Sequence, residues 1–178
     1  LFSYGLIYLL PVIDKIFAYK LESGQISILN FAEKIYLFPC VVLLSTFSTA
    51  IFPNFTKLFN SNNIIKLRND YLKGIYMIFT LSIILSTIIF FGGKSLIKLT
   101  YYFSDFSNED IENIYFVLKG FLGVILCYGT LNLILSLLFA IKAYFEIIFL
   151  SVIIIIIKLA LNYYIIYNNG SSFELSLS

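Results

Sequence analysis

The sequence predicts an all-α fold, a polytopic transmembrane helical bundle with about five spans. First, the 178 residues are 60% hydrophobic and only 12% charged, with mean hydropathy +0.95, whereas an ordinary soluble domain is about one quarter charged. Second, apolar runs near twenty residues recur along the chain, each long enough to cross about 30 Å of hydrocarbon. Third, the alternation of a barrel strand is missing, so each run should be a helix, which satisfies its own backbone hydrogen bonds in lipid.

The first span is expected at about residues 1–19, with Pro11 and the pair Asp14 and Lys15 inside it. The second covers about 26–52, interrupted by Pro39 and closed by Pro53. The third covers about 71–91 and should stop at Gly92 and Gly93, because glycine accepts the left-handed conformation that ends helices. The fourth covers about 111–140 and the fifth about 144–167, joined by the short turn Ile141, Lys142, Ala143; Asn168, Asn169 and Gly170 end the fifth. A further run begins after residue 170, and the chain opens without Met inside an apolar run, so it reads as part of a larger transmembrane domain.

Charge placement orients the spans. The second loop gathers Lys57, Lys66, Arg68 and Lys73 against Asp70 and should be cytoplasmic. The third loop has Lys94 and Lys98 with Asp105, Glu109, Asp110 and Glu112, and should lie outside. Asn108 before these acids resembles the start of a helix, where negative charge meets the favourable end of the macrodipole. Alternation then places the Glu22, Ser23, Gly24 loop and Asn169 outside, with the Lys142 turn inside.

Several function classes are excluded. Net charge is +2, with the charges between apolar runs, so no nucleic-acid footprint is present. Histidine is absent, and Cys40 and Cys127 lie apart in apolar segments, so neither a disulfide framework nor a metal site is expected. No imidazole base, carboxylate pair or phosphate-cradling glycine loop is found, and no cofactor is implied. An enzyme is therefore not expected.

Charges inside apolar runs are the sharpest signal, because one at a helix centre costs roughly 2.5–3.5 kcal/mol on insertion scales. Glu33 and Lys34 lie within the second span, and Ser27, Asn30 or Phe31, and Lys34 share a helical face by spacing. Either Lys34 aims a cation at an anionic substrate in a central cavity, or Glu33 pairs with a neighbouring helix while Lys34 snorkels outward. Asp14 and Lys15 either reach the headgroups or line or gate a cavity. Lys158 and Asn162 share a face of the fifth span, which points into the bundle or lets Lys158 reach the interface near Tyr163, Tyr164 or Tyr167. Pro39 removes a backbone donor and should bend the second helix, with Ser45, Thr46, Ser48 and Thr49 available to serve freed groups. Gly120, Gly123 and Gly129 with Ser136 form a small-residue face suited to close helix contact.

Residues 24 to 39, reading GQISILNFAEKIYLFP, and Ser48, Thr49, Ala50, Ile51, Phe52, Pro53 resemble the MurJ/MviN family of lipid II flippases, within the multidrug/oligosaccharidyl-lipid/polysaccharide exporter superfamily. Val12, Ile13, Asp14, Lys15 and Ile16 are similar to the family's Val-Asp-Arg segment. Phe139 to Lys142 resembles its Phe-Tyr-Ala segment, and residues 170 to 178 resemble the start of its next span.

The resemblance implies roughly the seventh to eleventh of about fourteen spans, in two pseudo-symmetric bundles around a central cavity. It implies a transporter that moves an undecaprenyl-diphosphate-linked peptidoglycan precursor across the bacterial cytoplasmic membrane by alternating access, in cell wall biogenesis. Its partners would be the lipid-linked diphosphate sugar, membrane lipids and a coupling ion or the membrane potential. Lys34 stands where the family carries an arginine that contacts the diphosphate; lysine keeps the charge and lacks the planar fork. Asp14, Lys15, Glu33, Asn30, Lys158 and Asn162 would line or gate the cavity. An O-antigen or polysaccharide-unit flippase is the near alternative, and a non-transporting scaffold or gene fragment the distant one.

Overall fold

The structure, a computed structural model, describes residues 10–19, 24–102, 106–168 and 172–177. The first nine residues of the first expected span, Glu22, Ser23, Asp105, Asn169 and Gly170 lie outside the described residues. In chain order the helices are α1 (Leu10–Ala18), α2 (Gln25–Pro39), α3 (Thr46–Asn60), α4 (Ile64–Thr100), α5 (Asn108–Gly120), α6 (Leu122–Ala140), α7 (Tyr144–Tyr167) and α8 (Ser172–Leu177), with a π-helical segment, Cys40–Ser45, joining α2 to α3. Four stretches are long and apolar enough to cross a bilayer: Gln25–Asn60, Ile64–Thr100, Leu122–Ala140 and Tyr144–Tyr167. The described residues contain helices and no strand, so the chain is an all-α membrane bundle.

The helices run further than the sequence signals indicate. The stretch Gln25–Asn60 does not close at Pro53; α3 continues to Asn60. Lipid leaves a backbone no water to turn to, so helix is kept through such residues when neighbouring side chains serve the freed groups. The expected stop at Gly92 and Gly93 is also absent, since α4 passes through both and ends at Thr100. A side-chain carbon added to Gly93 would lie 2.7 Å from Cε2 of Tyr115, so this glycine makes room for an α5 ring. At its full 37 residues, α4 is about 55 Å long at 1.5 Å per residue, well beyond the hydrocarbon thickness. Lys66, Arg68 and Lys73 therefore ride on its first turns, and the second loop shrinks to residues 61 to 63.

The expected fourth span is two helices, parted at Phe121, whose ring is buried and stacks on Tyr36 with centroids 4.5 Å apart. The cap of α5 is Ser107, one residue before Asn108: Ser107 Oγ accepts from the Asp110 amide and the Asp110 carboxylate accepts from the Ser107 amide. These Ser107 hydrogen bonds hold the Asp110 carboxyl below its ordinary value.

Small residues allow the close contacts on which helix association in lipid depends. A side-chain carbon on Gly129 would sit 2.5 Å from Ile78 on α4, and one on Gly120 would collide with Ser176 of α8. Ser136 is buried as well. Gly123 departs from the expected face, with open space around it. On α4 a single stripe, Leu67, Gly74, Ile78, Ser82, Leu85, Ile89, Gly93 and Ile97, faces the bundle. The opposite surface exposes large apolar side chains such as Ile84, Ile88 and Phe91, which suits contact with acyl chains and not water.

Candidate functional site

Three helices bring the intramembrane charges together. On α1, Asp14 and Lys15 are adjacent and so point about 100° apart around the axis. One is aimed at α7 and the other at α2. The Asp14 carboxylate is buried and uses both oxygens: Oδ2 lies 2.9 Å from Lys158 Nζ, and Oδ1 accepts from Asn162 Nδ2 at 2.8 Å. Lys158 and Asn162 are one turn apart on α7, which is why a single face supplies both donors. The alternative in which Lys158 reaches the interfacial tyrosines is not the one observed, for its side chain is only 14% exposed.

Lys15 reaches across to α2, placing Nζ 3.1 Å from Glu33 Oε2; the lysine side chain is 40% exposed and the glutamate 11%. Asp14 and Glu33 thus each meet a cation from another helix. The headgroup alternative for Asp14 does not match its burial.

Lys34 lies on the other side of α2. The stripe Leu29, Ala32, Glu33 and Tyr36 faces the bundle, and it continues through Cys40 and Leu44 of the π-helical segment. Ser27, Lys34 and Phe38 are exposed and Asn30 is half-buried. Among the described residues no carboxylate lies within ion-pair distance of Lys34. Its ammonium sits 6.0 Å from the centre of the Phe31 ring, at the limit of cation–π attraction. Phe31 is packed edge-on by Tyr101 at 4.9 Å and Phe106 at 5.0 Å, and Tyr101 Oη donates to the Phe31 carbonyl at 3.2 Å. Spacing on α2 already puts Phe31 and Lys34 on one face; the bracing of that ring by Tyr101 and Phe106 it does not reveal.

Directly after Pro39 the backbone changes from α to π-helical for six residues. The widened hydrogen-bond register is served by neighbouring hydroxyls: Thr46 Oγ1 donates to the Val41 carbonyl at 3.4 Å and Ser48 Oγ to the Leu44 carbonyl at 3.0 Å. Ser45 Oγ instead donates to Tyr128 Oη of α6 at 3.2 Å. Local departures of this kind interrupt the uniform helical ladder and recur at functional sites.

Lys34 thus presents an exposed cation on α2, and ion pairs tie α1 to two neighbours. Among the described residues no group of acids and cysteines converges on a metal position.

The family described as Lipid II flippase MurJ matches residues 1–178. A probable lipid II flippase MurJ of Rickettsia prowazekii (strain Madrid E) is 37% identical over 54 residues, which cover 29% of this chain and 11% of that relative. No solved structure matches. With its helices, its apolar surface and a match that runs from the first residue to the last, the chain belongs to the family of the lipid II flippase MurJ.

Proposed function

We propose that the protein containing this segment moves lipid II, the undecaprenyl-diphosphate-linked peptidoglycan precursor, from the inner to the outer leaflet of the bacterial cytoplasmic membrane. It acts as a transporter by alternating access, serving cell wall biogenesis and cell shape. The family match over the whole chain carries this reading.

Lys34 holds the diphosphate. Asp14, Lys15, Glu33 and Lys158 form ion pairs with one another, whereas Lys34 stands on an open face of α2 with no carboxylate in ion-pair distance among the described residues. A phosphorylated headgroup supplies the missing counter-charge, and the Phe31 platform limits the lysine's freedom. In the two-bundle arrangement this chain supplies most of the second bundle, and the first bundle encloses that face to make the cavity. Asn30 lines it beside Lys34. The ion pairs Asp14 with Lys158 and Lys15 with Glu33, together with Asn162, set how α1 stands against α2 and α7. Pro39 and the π-helical segment form the joint at which the two halves of the Gln25–Asn60 stretch move. A coupling ion or the membrane potential supplies the driving force.

The test is complementation of a strain depleted of its flippase. Lys34→Ala should abolish growth at normal protein levels, with lipid-linked precursor accumulating inside; Lys34→Arg should retain it. Full growth of the alanine variant at wild-type abundance would overturn the role of Lys34. Accumulation of an O-antigen unit in place of the peptidoglycan precursor would reassign the substrate.

A further inference from the structure

The basic end of the bundle carries a groove that the transport reading does not use. It has a volume of about 300 Å³ and is walled by Phe59, Leu67, Tyr71, Leu137 and Ile141. It lies where the end of α3, the start of α4 and the end of α6 meet. Arg68 is its one charged lining residue, and it is exposed at the rim. Ile64, Leu67, Arg68 and Tyr71 stand at positions i, i+3, i+4 and i+7, so a single face of α4 supplies this side of the groove.

The surroundings are strongly one-signed. Lys57, Lys66, Arg68, Lys73 and Lys142 stand on the ends of these helices or the turns between them, against two acids, Asp70 and Glu146. The Asp70 carboxylate already accepts from Asn54 Nδ2 at 3.0 Å. An apolar slot lined in part by an exposed arginine, among helix ends that carry further basic residues, has the two parts needed to bind a lipid with a negative headgroup. The slot takes acyl chain, which water cannot replace favourably, and the planar fork takes a phosphate. Basic pockets between spans on the cytoplasmic side recognise anionic headgroups by this combination.

We propose that this groove is a binding site for an anionic phospholipid, with one acyl chain against Leu67, Tyr71 and Leu137 and the phosphodiester on Arg68. The site is separate from Lys34, and neither its ligand nor its position depends on what the transporter carries.

The experiment uses the intact protein purified in a neutral detergent, titrated with dioleoyl phosphatidylglycerol or dioleoyl phosphatidylcholine, with bound lipids counted by native mass spectrometry. The expected result is one lipid bound about tenfold more tightly as phosphatidylglycerol than as phosphatidylcholine, an electrostatic preference that weakens with salt. Arg68→Gln should erase that preference while Arg68→Lys keeps most of it. Leu137→Trp, which fills the slot, should release that lipid whichever headgroup it carries. Arg68 is exposed, so its variants should melt with the wild type in detergent alone. Equal binding of the two lipids, an unchanged preference in Arg68→Gln, or a lipid count indifferent to Leu137→Trp would each overturn the proposal. Inorganic phosphate that displaces the lipid at matching concentration would also overturn it, by showing that the acyl chain contributes nothing.

Discussion

Asp14 is the residue on which the buried charge arrangement turns. A carboxylate away from water needs both oxygens served, and here a lysine and an amide from the same face of α7 do so at 2.9 and 2.8 Å. Breaking such a pair costs more than the pair itself contributes, because the remaining partner stays buried with its charge uncompensated. Lys158→Met should therefore destabilise the protein by about 3–5 kcal/mol, and Asp14→Asn by a similar amount. The double variant, Asp14→Asn with Lys158→Met, should recover much of that loss, because no buried charge remains. Lys15→Met should be milder, since that lysine is 40% exposed and solvent screens its pair with Glu33. Melting temperatures of the purified variants in one detergent check the order. A double variant as unstable as the sum of the singles would show that Asp14 and Lys158 act independently.

Among the helices, α4 separates two uses of glycine that look alike in sequence. Gly92 and Gly93 both lie inside the helix. Open space surrounds Gly92, whereas Gly93 faces Tyr115, whose hydroxyl donates to the Phe90 carbonyl at 2.5 Å and so fixes the ring. Gly92→Ala should stabilise α4 by roughly 0.5–1 kcal/mol through the unfolded chain's lost freedom. Gly93→Ala should destabilise it by about 1–3 kcal/mol, because the ring must shift. Thermal unfolding of the two variants side by side tests this, and equal effects would refute the contact. The same pair shows what the sequence could carry. Apolar runs marked where the helices lie, because hydrophobic length is a local property. Helix ends were not legible at Pro53, Gly92 or Phe121, because burial against other helices decides them. Likewise Asp14, Lys15, Glu33, Lys34, Lys158 and Asn162 each stood out as polar groups in apolar runs. Their pairing did not, for 148 residues separate Asp14 from Asn162, and only the packing of α1 beside α7 joins them.

In the molecule as a whole, the fold gathers basic residues at one end and acids at the other, which sets the end that should face the cytoplasm. The turns at residues 61 to 63 and 141 to 143 lie at the same end as Lys57, Lys66, Arg68, Lys73 and Lys142. The other end carries Gly24, the capped start of α5 at Ser107 and the close of α7 at Asn168. There Lys94 is paired with Glu112, and the acids Glu109 and Asp110 occupy the first turn of α5. Because positive residues near span ends resist translocation while acids contribute little, the first end should stay inside and the second should face out. Single cysteines placed in a Cys127→Ala background read this directly, since Cys127 is exposed while Cys40 is buried. In intact cells a membrane-impermeant maleimide should label Ser107→Cys and leave Asn62→Cys untouched until the membrane is opened. The inverse pattern would place the Arg68 groove on the outer surface and turn the Lys34 face of α2 toward the opposite leaflet. It would then contradict both the direction of transport and the leaflet from which the anionic lipid is drawn.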